Sequence, residues 1–284
     1  MNWLFLTITS VVLFTSLNLL QRLLATESKN QRAMAILFNS IAAFFSLLIF
    51  LVTGAFKDFS LPTNPTAYLI VFIAMVCYGL FERGRFVAAK LLDASVLTTV
   101  SNIGVPVAFI GAALLYNEPI TPNKLLGGLL ILVALLLVSY KNGTKKHSAK
   151  GIVIAVLIFI ALGIGWMLDK AGTTYFNANT YSFLVWTLPL IIIIFPGIKL
   201  SALKEEMKIG TWKVYLLAAI NVLGYLAQLK ALTLTEATRV IPIVQLSTLF
   251  TVLMGIIILK ERDHIPRKII AGTIAIIGAI LLVK

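Results

Sequence analysis

The stretch GIVIAVLIFIALGIGWML, residues 151–168, runs for 18 positions without a charged side chain and then stops on Asp169-Lys170. A helix rises about 1.5 Å per residue, so such a run nearly spans the roughly 30 Å hydrocarbon core of a bilayer. A surface helix of a soluble protein would carry a polar face along that length, and this one has none. Working outward, comparable runs give ten segments, at 2–24, 32–54, 66–90, 94–117, 123–140, 150–172, 178–198, 211–234, 236–259 and 266–283. The whole chain has the same character: of 284 residues, 60% are hydrophobic and 12% charged, with a mean hydropathy of +0.99. A soluble domain of that composition could not cover its surface with charge, so the partner that solvates this chain is the lipid bilayer.

The net charge of +13 does not indicate nucleic acid, because the 24 Lys and Arg sit mostly in short loops between apolar runs. Their placement reads instead as membrane topology. Loops after odd-numbered segments hold 18 of them and the other side holds 6; setting aside Arg83, Arg85, Lys90, Lys170 and Lys230, which fall inside helices, leaves 15 against 4. The positive-inside rule then puts the odd loops in the cytoplasm and both termini outside, in a multi-pass protein of the plasma membrane. The start of the chain opens into an apolar helix without the basic region and cleavage site of a signal peptide. Cys77 is the single cysteine, and the two histidines, His147 and His264, lie in charged loops, so no metal site or cofactor is expected. Asn142-Gly143-Thr144 matches a glycosylation acceptor, a short and common pattern.

The ten segments divide five and five. Asp93-Ala94 aligns with Glu236-Ala237 and Glu118 with Glu261 at a separation of 143; after one inserted residue, Pro122, Lys124 and Gly128 align with Pro266, Lys268 and Gly272 at 144. Each half holds an odd number of spans, so the two copies must enter the membrane in opposite directions. The fold expected is therefore an all-α membrane protein of ten transmembrane helices, two inverted five-helix repeats over residues 1–147 and 148–284, an architecture typical of secondary transporters.

Residues 94–140 contain Ala-Ser-Val-Leu, Pro106, Tyr-Asn-Glu-Pro-Ile-Thr-Pro (116–122) and a Gly-rich helix; the second copy has Leu-Lys-Glu-Arg (259–262) and Ala-Gly-Thr-Ile-Ala-Ile-Ile-Gly-Ala (271–279). This resembles the EamA domain of the drug/metabolite transporter superfamily, present twice and covering essentially the whole chain. The resemblance implies a ten-helix basket with a central cavity and alternating access. The first four helices of each half would form the transport core, with the fifth and tenth peripheral. It also implies export of amino acids or related metabolites as the leading substrate class. Two departures stand out. Pro106 of the first half aligns with Leu249 in the second, whose proline is Pro242, so the halves need not hinge alike. The first helix also lacks the carboxylate that small multidrug exporters of the superfamily use for proton coupling.

Polar groups inside a span are costly and tend to face a cavity or a partner. Tyr78, Glu82 and Arg85 on the third helix, and Asn221, Tyr225 and Gln228 on the eighth, share spacings of four and three and coincide at the repeat separation. They read as two walls of a substrate path, or, for Glu82 and Arg85, as a mutually neutralising pair. Asn102 and Gln245 also align, as path residues or as interhelical hydrogen-bonding groups. Trp166, Asp169 and Lys170 end the sixth helix, with Asn18 and Gln21 at comparable places in the first. Asp169 and Lys170 are expected to snorkel; the alternative has Lys170 meeting a substrate carboxylate and Asp169 taking part in proton coupling. Glu118 and Glu261 are expected to pair with Lys and Arg of their own loops. Gly127, Gly128, Gly272 and Gly278 suit close packing of the fifth and tenth helices, within the chain or in a homodimer. Gly163 and Gly165 suit packing or flexibility of the sixth.

An enzyme is the competing class. No span carries a histidine for serine or zinc proteolysis, no aspartate cluster suits a metal-bound diphosphate, and no phosphate loop supports pumping. A scaffold role would leave the matched polar stripes without a purpose. The sequence therefore points to a non-enzymatic secondary transporter of small molecules, with lipid-linked or nucleotide sugars as the alternative substrates.

Overall fold

The computed structural model describes residues 2–92, 94–139, 149–258 and 265–283, without the side chains of 22–27, 86, 89, 90, 94, 95, 98, 139 and 255–258. Asp93, the Asn142 acceptor, His147, Glu261, Arg262, His264 and the lysines at 141, 145, 146 and 260 lie outside the described residues. Every element described is helical. Among the described residues, eight helices are long and apolar enough to cross a membrane, and two shorter apolar ones, Pro122–Val138 and Ala178–Ile194, fall on the fifth and seventh segments. The chain is a multi-pass, all-α membrane protein.

Local sequence explains where helices start. Asn30 accepts from the Ala33 amide ahead of α2 (Gln31–Val52), and Asn64 caps α3 (Pro65–Leu91) with Pro65 in its first turn. Asn177 caps α8 (Ala178–Thr187) through Thr180 N–H. Asn117 takes the left-handed conformation that closes α5 (Gly104–Tyr116), a conformation that asparagine tolerates better than most residues. α1 (Trp3–Glu27) and α7 (Ala149–Tyr175) both continue past the apolar runs that reveal them.

Three segments are broken. The fourth divides into α4 (Ala94–Ser101) and α5 (Gly104–Tyr116). Pro106 has no N–H to offer the carbonyl of Asn102, and its ring would crowd that carbonyl in a continuous helix. The Val105 amide takes it instead at 3.2 Å. The ninth divides into α11 (Ala237–Val244) and α12 (Leu246–Ile258) at Gln245, whose carbonyl accepts from Thr248 at 3.1 Å. Asn102 and Gln245 occupy the same place in the two alignments, so the breaks coincide although the prolines do not. The seventh segment breaks at Leu188-Pro189, before α9 (Leu190–Ile194).

The eighth segment begins earlier than its apolar run. α10 (Leu200–Leu232) bends at Thr211, whose φ of 46° and ψ of −141° are not helical. Residues 200–210 form a helix along the basic side rather than the loop in which Lys204 and Lys208 were expected. Glu206, only 1% exposed, anchors it by accepting the amides of Lys29 and Asn30 at 2.9 and 2.6 Å.

Packing is reciprocal between the halves: α1 runs against α10 and α7 against α3. The most extensive contact joins α6 (Pro122–Ser139) to α13 (Ile265–Val283). A Cβ on Gly127 would stand 2.7 Å from the Gly278 carbonyl oxygen, and one on Gly278 would stand 2.8 Å from that of Gly127. These glycines serve backbone-to-backbone packing within the chain. The outer sides of the pair, including Leu126, Leu129, Ile270 and Ile277, are exposed as lipid-facing residues are.

Candidate functional site

Between α1, α2, α3, α7, α8, α10 and the α11–α12 break lies a cavity of about 250 Å³. Ten of the thirteen residues singled out from the sequence line it: Asn18, Gln21, Tyr78, Glu82, Arg85, Trp166, Asn221, Tyr225, Gln228 and Gln245. Helical spacing puts each triad on one face, and the α3 and α10 triads line this one cavity. Asn102 is buried at the α4–α5 break and does not line the cavity.

Glu82 and Arg85 form an ion pair at 2.8 Å, with the guanidinium 5.7 Å from the Phe81 ring centroid. The pair neutralises itself and also lines the cavity. Asn39 Nδ2 donates to Glu82 at 3.0 Å. Asn18 Nδ2 donates to the Thr251 hydroxyl at 3.2 Å. Tyr225 meets Tyr78 and Trp186 edge-on, at 6.3 and 6.0 Å between centroids. Glu82 also borders a vestibule of about 540 Å³ lined by residues 28–32 and Arg83. That vestibule sits on the side richer in Lys and Arg. There, Arg83 donates to the Phe195 carbonyl and Arg32 to that of Pro196, which fixes the end of α9.

Asp169 and Lys170 do not snorkel. α7 continues to Tyr175, so both lie within the helix, and Asp169 is 0% exposed. Its carboxylate accepts from Tyr78 at 2.8 and 2.9 Å, from Tyr225 at 2.8 Å and from Tyr181 at 3.4 Å. Glycines one turn to either side make room for this cage. A Cβ at Gly165 would come within 2.9 Å of the Tyr78 ring, and one at Gly172 within 2.0 Å of Tyr181. Gly163 likewise packs against the Gly104 carbonyl, so close approach explains these glycines. Among the described residues no Lys, Arg or His pairs with Asp169.

Lys170 turns the other way, bonding Glu118 at 2.7 Å and lying 5.4 Å from the Tyr116 ring centroid. Glu118 also accepts the amides of Ala237 and Thr238 at 2.8 and 2.9 Å and the Thr238 hydroxyl at 2.7 Å. A side chain of the first half thus does the work of an N-cap for α11, satisfying amides that have no partner inside the helix. The expectation that Glu118 pairs within its own loop is corrected: Lys124 of that region pairs with Glu236 at 2.7 Å, and Glu236 also holds Arg239 at 2.7 Å. Burial pushes the Glu118 carboxyl up, but hydrogen bonds from Lys170, Thr238 and Ala237 outweigh it and hold the group below the usual carboxylate range. This cluster closes the end of the bundle opposite the vestibule.

Three site residues escaped the sequence reading. Asn39, an amide in the otherwise apolar α2, carried a legible signal. Tyr181 and Trp186 did not, since only the tertiary fold brings them to Asp169 and the cavity. A separate apolar crevice of about 920 Å³ runs between α1, α12 and α13, and it shares no lining residue with the polar cavity.

Residues 149–284 match the EamA-like transporter family. An uncharacterized transporter of Archaeoglobus fulgidus is 24% identical over 217 residues, covering 76% of each chain. A protein of known crystal structure, 14% identical, superposes with a TM-score of 0.72 over 98% of this chain and 94% of that one, a likeness of fold. With a match to the EamA-like transporter family on its second half, a transporter relative over three quarters of its length and ten apolar helical segments among the described residues, the chain is a multi-pass membrane transporter whose second half resembles that family.

Proposed function

We propose that the chain moves small zwitterionic solutes, amino acids or related metabolites, across the plasma membrane by alternating access, with the polar cavity as the binding site. The observation that carries this reading is the convergence of polar residues from both halves on one cavity in an otherwise apolar bundle. Glu82 and Arg85 offer an acceptor for an ammonium group and a donor for a carboxylate, while Phe14, Phe38 and Trp186 wall the rest. Among the described residues the Trp186 indole N–H has no hydrogen-bond partner. At about 250 Å³ the cavity falls below the roughly 300–1,000 Å³ of drug-sized pockets, which favours a solute of amino-acid size over a nucleotide sugar. The apolar crevice is the one feature that suits a lipid-linked sugar, but its separation from the polar cavity counts against that reading.

In this account residues 1–147 and 148–284 are inverted repeats, and their coincident breaks at Asn102 and Gln245 are the moving joints. The basic vestibule faces the cytoplasm, both termini lie outside, and net export runs down an outward solute gradient. Any homodimer through α6 and α13 would use only their lipid-facing sides, because Gly127 and Gly278 are engaged with each other. The test is counterflow in proteoliposomes with a panel of labelled amino acids. Accumulation of one class, reduced at least tenfold in Glu82→Gln, Asn221→Ala and Gln228→Ala, is expected. A flat panel from folded protein, or three variants with undiminished transport, would overturn the assignment.

A further inference from the structure

We infer that Asp169 is a proton-binding site coupled to the solute cavity through Tyr78, so that a proton and a carboxylate-bearing solute bind cooperatively. The inference rests on the cavity assigned above and adds to it the ion and the sign of coupling.

The geometry is specific. Asp169 is wholly buried in the apolar part of α7, and only hydroxyl groups hold it. On every element packed around it the titratable or charged groups are identifiable. α3 presents Tyr78, the buried Cys77 thiol next to it and, further along, the Glu82–Arg85 pair. α8 presents Tyr181 and α10 presents Tyr225. α5 presents Tyr116, whose hydroxyl donates to the Met167 carbonyl and accepts from the Ala171 amide. On α7 itself Lys170 is directed at Glu118. Asp169 therefore has no ion pair to break when it takes up a proton, unlike Glu82 and Glu118, which are both compensated by cations.

Tyr78 is the link because it bonds both carboxylate oxygens and also lines the cavity, as Asp169 does not. With Asp169 ionised, the Tyr78 hydroxyl hydrogen is committed to the carboxylate. With Asp169 protonated, the new O–H donates to the Tyr78 oxygen, and the tyrosine's own hydrogen is freed to turn into the cavity. One proton arrives, no covalent bond to a heavy atom changes except the new O–H, and the cavity gains one hydrogen-bond donor. A solute carboxylate is the natural acceptor, and one charge-assisted hydrogen bond is worth roughly tenfold in affinity. Linkage makes the effect mutual: bound solute favours the proton as much as the proton favours solute. Proton and solute then travel together, so acid outside opposes export and promotes uptake.

The test pairs two readouts. Infrared titration of the protein in liposomes should show a carboxyl C=O band that appears with acid, is absent in Asp169→Asn, persists in Glu118→Gln and is shifted in Tyr78→Phe. Tyr78→Phe keeps the packed ring, so it remains informative if Asp169→Asn folds poorly. In transport, the apparent affinity for the solute found in counterflow should rise roughly tenfold on acidification. Asp169→Asn should keep counterflow but lose both this dependence and accumulation driven by a pH gradient. Acid dependence surviving in Asp169→Asn, or a titrating band indifferent to that substitution, overturns the inference. If no panel solute is moved, the functional proposal fails on its own, and the infrared titration still decides whether Asp169 takes a proton.

Discussion

Two buried carboxylates flank the same turn of α7 and are held in opposite ways. Glu118 meets an ammonium group, two backbone amides and a hydroxyl; Asp169 meets three tyrosine hydroxyls and, among the described residues, no cation. Partner charge, more than burial, separates them. A carboxylate answered by a cation and by a helix N-terminus is fixed as an anion and can serve as a clasp. One answered by neutral donors that also border a cavity can exchange its proton and pass the change on. Asp169 and Lys170 are neighbours in sequence, so a single helical turn carries both the proton site and half of the clasp.

The contrast can be broken most forcefully at Glu118. Glu118→Gln leaves Lys170 without its anion and weakens the cap on α11, and a loss of about 3 kcal/mol is expected, toward the low end for a buried pair because Lys170 is 23% exposed. Asp169→Asn should be neutral or stabilising, since it replaces a buried charge by a neutral group of the same shape. Thermal unfolding in one detergent measures both, and equal losses would erase the distinction. Next in size is Gly172→Ala, whose new methyl would overlap Tyr181 and cost about 1–3 kcal/mol as an overpacked site. Gly165→Ala should cost less in stability, because its contact with Tyr78 is longer, yet disturb acid dependence more. Tyr181→Phe removes the longest of the hydroxyl contacts, at 3.4 Å; a loss under about 1 kcal/mol is expected, with acid dependence of transport intact. The smallest effect concerns pH. Glu118 is held below its ordinary range, so its contribution is full at neutral pH and is lost only as pH falls through that lowered value. Glu118→Gln should flatten the acid limb of the stability profile, while the neutral region keeps its shape.

The sequence reading and the structure part at identifiable physical points. Membrane spans are legible because a charge-free run such as 151–168 leaves no polar face for water. The paired stripes on α3 and α10 are legible because helical spacing fixes which residues share a face, and both stripes line the cavity. The breaks within the fourth and ninth segments were visible only through Pro106 and Pro242, and their common register follows from backbone carbonyls that a sequence does not display. Asp169 looked like a residue at a helix end because the apolar run stops there. The run stops because the Asp169 carboxylate is held inside the bundle by Tyr78, Tyr181 and Tyr225, and polar partners supplied by other helices look in sequence like the start of a loop. Glu118 was misread for the same reason, its partners lying on α7 and α11 rather than nearby in the chain.

In the proposed arrangement the polar cavity opens to the basic vestibule, with which it shares Glu82, and the Glu118 cluster seals the far end. That arrangement is tested most directly by thiol labelling from either face of the membrane. Cys77 is buried and can be replaced by Ser, leaving Asn221→Cys as the reporter in oriented proteoliposomes with a membrane-impermeant reagent. Labelling from the vestibule face alone, reduced by bound solute and extended to both faces in Glu118→Gln, is the expected result. Labelling from the Glu118 face while that residue is intact, or access that ignores its removal, would contradict the account.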